Sequence, residues 1–214
     1  MDGNGRWAKN QGKSRDYGHR IGSSKVYDIF KSCVDLGCKT VTFFALSSEN
    51  MSRPEAETKN IALLLQESIN NHFDDLIENN IKFKVIGKTS SLSKEIRETI
   101  SEAEHATQSF DNYKMNIAYN YGGQWDIINA VSNAIKNKES IDLSNITKYL
   151  STGDDFPDLI VRTGGYQRIS NFMIWQAAYS ELEFLDILWP EITKDHIKEI
   201  FNQHINTKRK FGIV

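Results

Sequence analysis

Apolar positions along this chain alternate between stretches with a helical period and stretches with a strand period. Val26, Ile29, Phe30, Cys33 and Val34 recur at the spacing of one helix face, and Gly37 is placed to stop that helix. Thr40 to Leu46 (TVTFFAL) is β-branched and aromatic with almost no polar face, which predicts a strand buried on both sides. Pro54 suits the first turn of a long helix reaching Asn79. Lys82 and Lys84 alternate with Ile81, Phe83 and Val85, the pattern of a strand nearer a sheet edge. Ile96, Ile100 and Ala103 mark a helix, Met115, Ile117 and Tyr119 a strand, and Trp125, Ile128, Val131 and Ile135 a further helix. Asp158 to Arg162 (DLIVR) closes the series as a short buried strand. The β–α rhythm, short linkers and lack of repeats predict one α/β domain over residues 1–214, a mostly parallel central sheet flanked by helices. Ligands in such sheets sit beyond the carboxyl ends of the strands, so the segments that follow strands carry the functional argument.

Composition narrows the classes of partner. The 214 residues carry a net charge of -2, so no global field draws the protein to nucleic acid or to an anionic membrane. Any anion site must come from a local cluster. The longest uninterrupted apolar run, Ile61 to Leu65, is far short of a membrane span, and no signal peptide opens the chain. Cys33 and Cys38 are too few for a disulfide framework or a zinc site and read as reduced thiols of a cytoplasmic protein.

Three segments group glycine, arginine and small polar residues. The first is Met1 to Gly22, where Gly3 and Gly5 allow backbone amides close to an anion and Arg6, Arg15, His19 and Arg20 supply charge. Taken alone it reads better as an ordinary capped turn before a solvated basic helix. The second, SSENMSRP (Ser47 to Pro54), offers Ser47, Ser48 and Asn50 as neutral hydrogen-bonding groups and Arg53 as a cation, or simply caps the next helix. In the third, RTGGYQRIS (Arg162 to Ser170), Arg162 and Arg168 flank a Gly-Gly turn. Ser170 there opens an expected helix, NFMIWQAAYSE. Two arginine forks and a helix N-terminus make a diphosphate cradle.

MDGNGRWA, the stretch Arg15 to Gly22, SSENxxRP, NYGG (Asn120 to Gly123), RTGGxxRISNF, WQxAYxELxF and the closing RKFG (Arg209 to Gly212) together resemble the signature blocks of cis-prenyltransferases of the undecaprenyl diphosphate synthase type, in order, over nearly the whole chain. That resemblance implies a Mg2+-dependent transferase that condenses isopentenyl diphosphate with an allylic prenyl diphosphate. Farnesyl diphosphate would be the allylic substrate and undecaprenyl diphosphate, precursor of a cell-wall lipid carrier, the product. A shorter-chain synthase, a catalytically silent partner subunit and a plain anion-binding protein remain as alternatives.

Carried over by position, the resemblance assigns Asp2 and Asn50 to catalysis, and Asp2 with Glu181 to the metal. It assigns Gly3, Asn4, Gly5, Arg6, Trp7, Arg15, His19, Ser47, Ser48, Glu49, Arg53, Arg162, Arg168 and Ser170 to substrate. It further implies a homodimer, peripheral membrane contact during product release, and a hydrocarbon tunnel walled by the widely apolar helix around Ile61 to Leu65 with Ala45 and Leu46. Trp125 and Trp175 read as core, and His72, His105, His196 and His204 as surface. Asp74, Asp75 and Glu78 (DDLIE) loosely echo the metal motif of trans-prenyltransferases but read as a solvated helix face. The chain departs from the family pattern in three places. Tyr166 stands where the family carries an acid, Met51 replaces an aromatic, and the apolar strand usual before MDGN is absent, which predicts a loosely anchored Met1 to Arg15 unless the working chain starts upstream.

Overall fold

The computed structural model describes residues 1–205, so the RKFG segment lies outside the described residues. The chain opens with helices α1 (Asn4–Asn10), α2 (Arg15–Ser24) and α3 (Val26–Asp35), then strand β1 (Thr40–Ser47). Helix α4 (Glu55–Glu78), β2 (Ile81–Ile86), α5 (Lys94–Thr107), β3 (Tyr113–Tyr121) and α6 (Gly123–Lys136) follow. The chain continues through α7 (Leu143–Tyr149), β4 (Leu159–Arg162), β5 (Glu181–Phe184) and α8 (Lys194–Ile205).

All strand pairs are parallel. They form a three-stranded sheet in the order β1-β3-β2 and a two-stranded sheet β4-β5. Helices α3, α4 and α5 contribute Ile29, Phe30, Ile61, Leu65, Ile69, Ile96 and Ile100 to one core with Phe43, Phe83, Met115 and Ile117 of the first sheet. Most periodic elements form where the apolar spacing places them. Helix α4 begins after Pro54 with Glu55 and Glu57 in its first turn, where acids complement the helix dipole, and ends at Asn79.

Four expectations need correction. Strand β1 is an edge strand of its sheet and only Phe43 and Leu46 are fully buried, whereas β3 is central and buried from Met115 onward. The pattern of β4 predicts a buried strand, yet among its residues only Ile160 is buried. Helix α6 buries Asp126, Ala130 and Ala134 and leaves Ile128 and Ile135 exposed, so its apolar spacing does not mark its core face. The helix expected after Ser170 is replaced by turns and a short 3-10 segment, Gln176–Tyr179. Ser170, Asn171 and Met173 take positive φ angles (49°, 62° and 44°), which a right-handed helix cannot contain.

Candidate active site

The second strand-end segment and the third meet the start of the chain at one end of the two sheets. Asp2 is fixed there through its backbone. Its N–H donates to Thr163 Oγ1 at 2.9 Å, and its carbonyl accepts from the Thr163 hydroxyl at 2.8 Å and from the Trp189 N–H at 2.9 Å. The loose anchoring expected of this segment is therefore not what the structure holds. The Asp2 carboxylate accepts from Arg162 at 3.0 Å and faces Arg6 at 3.5 Å. Partial burial pushes its pKa up, but the Arg162 hydrogen bond and charge, with Arg6, outweigh this and hold it below the usual carboxylate range.

Gly164 makes this approach possible. Its φ of 93° is left-handed, and a Cβ there would stand 2.5 Å from the Arg6 guanidinium and 3.1 Å from the Asp2 carboxyl carbon. The Arg6 guanidinium donates to the Gly164 carbonyl at 2.8 Å. Beside it, Arg162 donates to the Ser170 hydroxyl at 2.6 Å and to the Arg168 carbonyl, so Arg162 and Ser170 are brought together with Asp2. The ring of Tyr166 lies under three guanidiniums, at 4.2 Å from Arg168, 4.9 Å from Arg6 and 5.7 Å from Arg162.

A second basic cluster forms around Glu57. Its Oε1 accepts from Arg53 at 3.0 Å and from Arg15 at 3.1 Å, and lies 3.3 Å from His19 Nε2. Burial raises the Glu57 pKa, yet the three neighbours bring it below the ordinary value. Burial lowers the His19 pKa, and Glu57 only partly opposes that. The Arg15 guanidinium lies over Gly5, where a Cβ would stand 3.2 Å from it, which ties this cluster to α1.

The SSEN loop closes the third side. Ser47 accepts from the Asn50 N–H at 3.2 Å and so braces the 3-10 turn Glu49–Ser52, while α4 begins after Pro54 with no side-chain cap. Asn171 donates to Glu49 at 2.6 Å and accepts from the Gln124 N–H at 2.9 Å, and its carbonyl accepts from Gly123 N–H at 2.6 Å. Those bonds join SSEN, NYGG and RIS. A Cβ on Gly122 would meet Ser48 Oγ at 2.5 Å and Asn171 Nδ2 at 2.7 Å, so a larger residue there would push both side chains aside. Met51 fills an apolar slot against the main core.

From this mouth a narrow cavity of about 80 Å3 runs between α3, α4 and the first sheet. His19 and Asn4 line its upper end, and Ile61, Leu65, Ile69 and Leu76 line it along α4, a run of about 22 Å at 1.5 Å per residue. Ala45 lines the cavity, but Leu46, beyond a register irregularity in the strand, does not and is buried in the main core. The far half also carries Ser68, Tyr27 and His72. Tyr27 stacks on His72 at 4.3 Å, and the buried Tyr27 hydroxyl has no hydrogen-bond partner. Burial, with Asp75 and Glu78, pushes its pKa up to about 12.

Several assigned residues lie elsewhere. Trp7 stacks on Tyr17 of α2 at 6.0 Å. Glu181 opens β5 opposite Leu159, whereas Asp2 bonds to Arg162 at the other end of β4, about 10 Å away along the ladder. Glu181 faces His204 at 3.8 Å. His72 and His204 are accordingly not plain surface residues. Among the described residues no group of three or more His, Cys, Asp or Glu converges as a metal site, DDLIE included. Thr163, Glu57 and Asn171 escape sequence reading because each acts through a partner at least 38 positions away.

Residues 1–212 match the family described as "Putative undecaprenyl diphosphate synthase". A ditrans,polycis-undecaprenyl-diphosphate synthase ((2E,6E)-farnesyl-diphosphate specific) of Vibrio parahaemolyticus is 42% identical over 221 residues, covering 99% of this chain and 88% of that one. The crystal structure of lavandulyl diphosphate synthase from Lavandula x intermedia, in complex with dimethylallyl diphosphate, has a TM-score of 0.93 at 28% identity, over 99% of this chain and 95% of the other. A probable undecaprenyl diphosphate synthase from Campylobacter jejuni has a TM-score of 0.81 at 31% identity, over 90% of this chain and 92% of the other. With the two basic clusters around Asp2 and Glu57 above an apolar cavity, these likenesses agree on one assignment: the chain belongs to the undecaprenyl diphosphate synthase family of cis-prenyltransferases.

Proposed function

We propose that the protein condenses isopentenyl diphosphate onto farnesyl diphosphate to give a long cis-polyprenyl diphosphate, undecaprenyl diphosphate, for the lipid carrier of cell-wall synthesis. The observation that carries this reading is the basic mouth around Asp2 and Glu57 opening onto a long apolar cavity. Condensation breaks the C1–O bond of the allylic substrate and joins C1 to the terminal carbon of isopentenyl diphosphate. The allylic diphosphate departs, and C2 of isopentenyl diphosphate, next to the carbon left electron-poor by the attack, loses a proton to form the new double bond. The site must therefore neutralise the charge developing on the leaving group and keep water from a cation-like carbon.

In this reading the backbone amides of Gly3, Asn4 and Gly5, with Arg6, Arg15, His19 and Arg53, bind the allylic diphosphate. Arg162, Arg168 and Ser170 bind that of isopentenyl diphosphate. Asn50, with Ser47, Ser48 and Glu49, borders the reacting carbons, Trp7 supports α1 from behind, and the cavity takes the growing chain. Asp2 fits a magnesium ion, because it is a half-exposed carboxylate held ionised, and such ions bind through one or two carboxylates plus phosphate oxygens. When bound, the ion supplies charge neutralisation on the diphosphate. Glu181 is the second carboxylate assigned to that ion.

The exposed Ile128 and Ile135 of α6 support pairing with a second copy, and light scattering measures it. No helix among the described residues is long and apolar enough to cross a membrane, which fits a cytoplasmic enzyme that touches the bilayer only to release product. Incubation with farnesyl diphosphate, isopentenyl diphosphate and Mg2+, followed by chromatography of the dephosphorylated products, tests the reading. A long polyprenol is expected. Binding of both substrates without turnover, or products stopping after one or two additions, overturns it.

A further inference from the structure

We infer that Tyr166 is a positioning residue of the diphosphate-binding mouth, a neutral aromatic face that gathers Arg6, Arg162 and Arg168 without neutralising any of them. The inference rests on the reading of those arginines as diphosphate ligands and adds what holds them in place. Three guanidiniums at 4.2, 4.9 and 5.7 Å from one ring centroid would repel one another strongly unless something offset that repulsion. Asp2 does so for Arg162 and Arg6. It does not do so for Arg168, whose side chain has, among the described residues, no partner but the Tyr166 ring.

The ring follows the Gly164-Gly165 turn, where both glycines take left-handed φ angles (93° and 77°), so the backbone itself presents Tyr166 to the three cations. A backbone bond from Arg168 N–H to the Tyr166 carbonyl at 3.2 Å keeps the pair adjacent. The interaction is with the face of the ring. Among the described residues the Tyr166 hydroxyl has no hydrogen-bond partner, and the residue is 43% exposed. A carboxylate at this position would also attract the arginines, but it would cancel one of their charges. The phenol leaves the full charge for the ligand. Because Arg6 belongs to the allylic set and Arg168 to the isopentenyl set, the ring is also the shared wall between the two diphosphates.

The test uses the full chain and inorganic diphosphate as the probe in calorimetric titration, beside steady-state kinetics for both substrates. Tyr166→Phe keeps the face and is expected to match the parent. Tyr166→Leu removes the face and is expected to weaken diphosphate binding and raise KM for isopentenyl diphosphate about tenfold, with kcat within about twofold. Tyr166→Glu is expected to weaken diphosphate binding at low salt, with the deficit shrinking as salt screens the added charge. Parent-like binding by Tyr166→Leu, loss of binding in Tyr166→Phe, or a fall of kcat in step with the rise of KM would each overturn the inference. Arg168→Ala separates the two layers. If it weakens diphosphate binding while Tyr166→Leu does not, only the role of Tyr166 fails. If it too is parent-like, the reading of the arginines fails and the inference with it.

Discussion

Replacing Asp126 tests whether the architecture behind the site is held by one buried carboxylate. Asp126 is fully buried in the first turn of α6 and accepts four hydrogen bonds. Ser151 gives it a backbone N–H at 2.9 Å and a hydroxyl at 2.6 Å, Tyr121 a hydroxyl at 3.0 Å and Gln176 an amide N–H at 3.0 Å. The hydroxyls can turn to other acceptors, but the Ser151 N–H cannot, and of the two Gln176 amide N–H groups one keeps Thr152 Oγ1 at 3.2 Å while the other loses its acceptor. Asp126→Ala therefore strands two buried donors at roughly 1–3 kcal/mol each, a loss of about 4 kcal/mol. At about 2–4 °C per kcal/mol for a chain of this size, the melting temperature should fall by roughly 8–16 °C.

Asp126→Asn should cost far less, because the buried Gln176 Oε1 has no partner. Turning that amide over presents an acceptor to the N–H of the introduced carboxamide, and the Tyr121 hydroxyl can accept as well. The expected cost is about 1–2 kcal/mol, the difference between charge-assisted and neutral bonds. Thermal melts of the two variants decide the matter. If Asn is as damaging as Ala, the amide does not turn. If Ala melts like the parent, the network does not hold this region together.

Asp2→Ala should abolish condensation, with kcat falling more than substrate binding weakens; near-normal kcat would remove Asp2 from the mechanism. Arg168→Ala should raise KM for isopentenyl diphosphate and Arg6→Ala that for the allylic substrate, each by roughly ten- to a hundredfold, the loss of one charge-assisted bond. Equal effects on both substrates would contradict separate diphosphate sites. Ala45→Leu should shorten the product by filling cavity space, and unchanged product length at normal activity would deny the cavity that role. The depressed pKa values of Asp2, Glu57 and Glu49 stabilise the fold above the ordinary carboxylate range, and that stability should be lost as pH falls below about 4. The depressed pKa of His19 acts in a higher window, with stability complete above about pH 6.5 and declining below it. Melts that are flat with pH across both windows would refute these assignments.

The elements legible in the sequence are those whose apolar period decides their burial. Helix α4 lies within a residue of its expected limits because Pro54 and the run of leucines leave little choice. The segment after Ser170 departs from its local pattern for a physical reason: its composition suits a helix, but the Asn171 bonds to Glu49 and Gln124 hold it in a left-handed conformation. Helix α6 misleads in another way, since small residues form its buried face and isoleucines its exposed one. Within the site, the glycine and arginine clusters are readable as chemistry. Their convergence on Glu57 depends on tertiary contacts that no local pattern carries.

The unpaired Tyr27 hydroxyl bears on how inhibitors would discriminate this cavity from a uniformly greasy one. A prenyl tail reaching Tyr27 and His72 has no atom that can accept a hydrogen bond, so it leaves the orphaned donor as costly as before. A synthetic tail ending in an ether or carbonyl oxygen would satisfy that hydroxyl and recover about 1–3 kcal/mol, roughly five- to a hundredfold in affinity. The advantage should vanish in Tyr27→Phe while the affinity of purely hydrocarbon tails stays put. The far end of the cavity is thus a selectivity handle that a hydrocarbon tail cannot use.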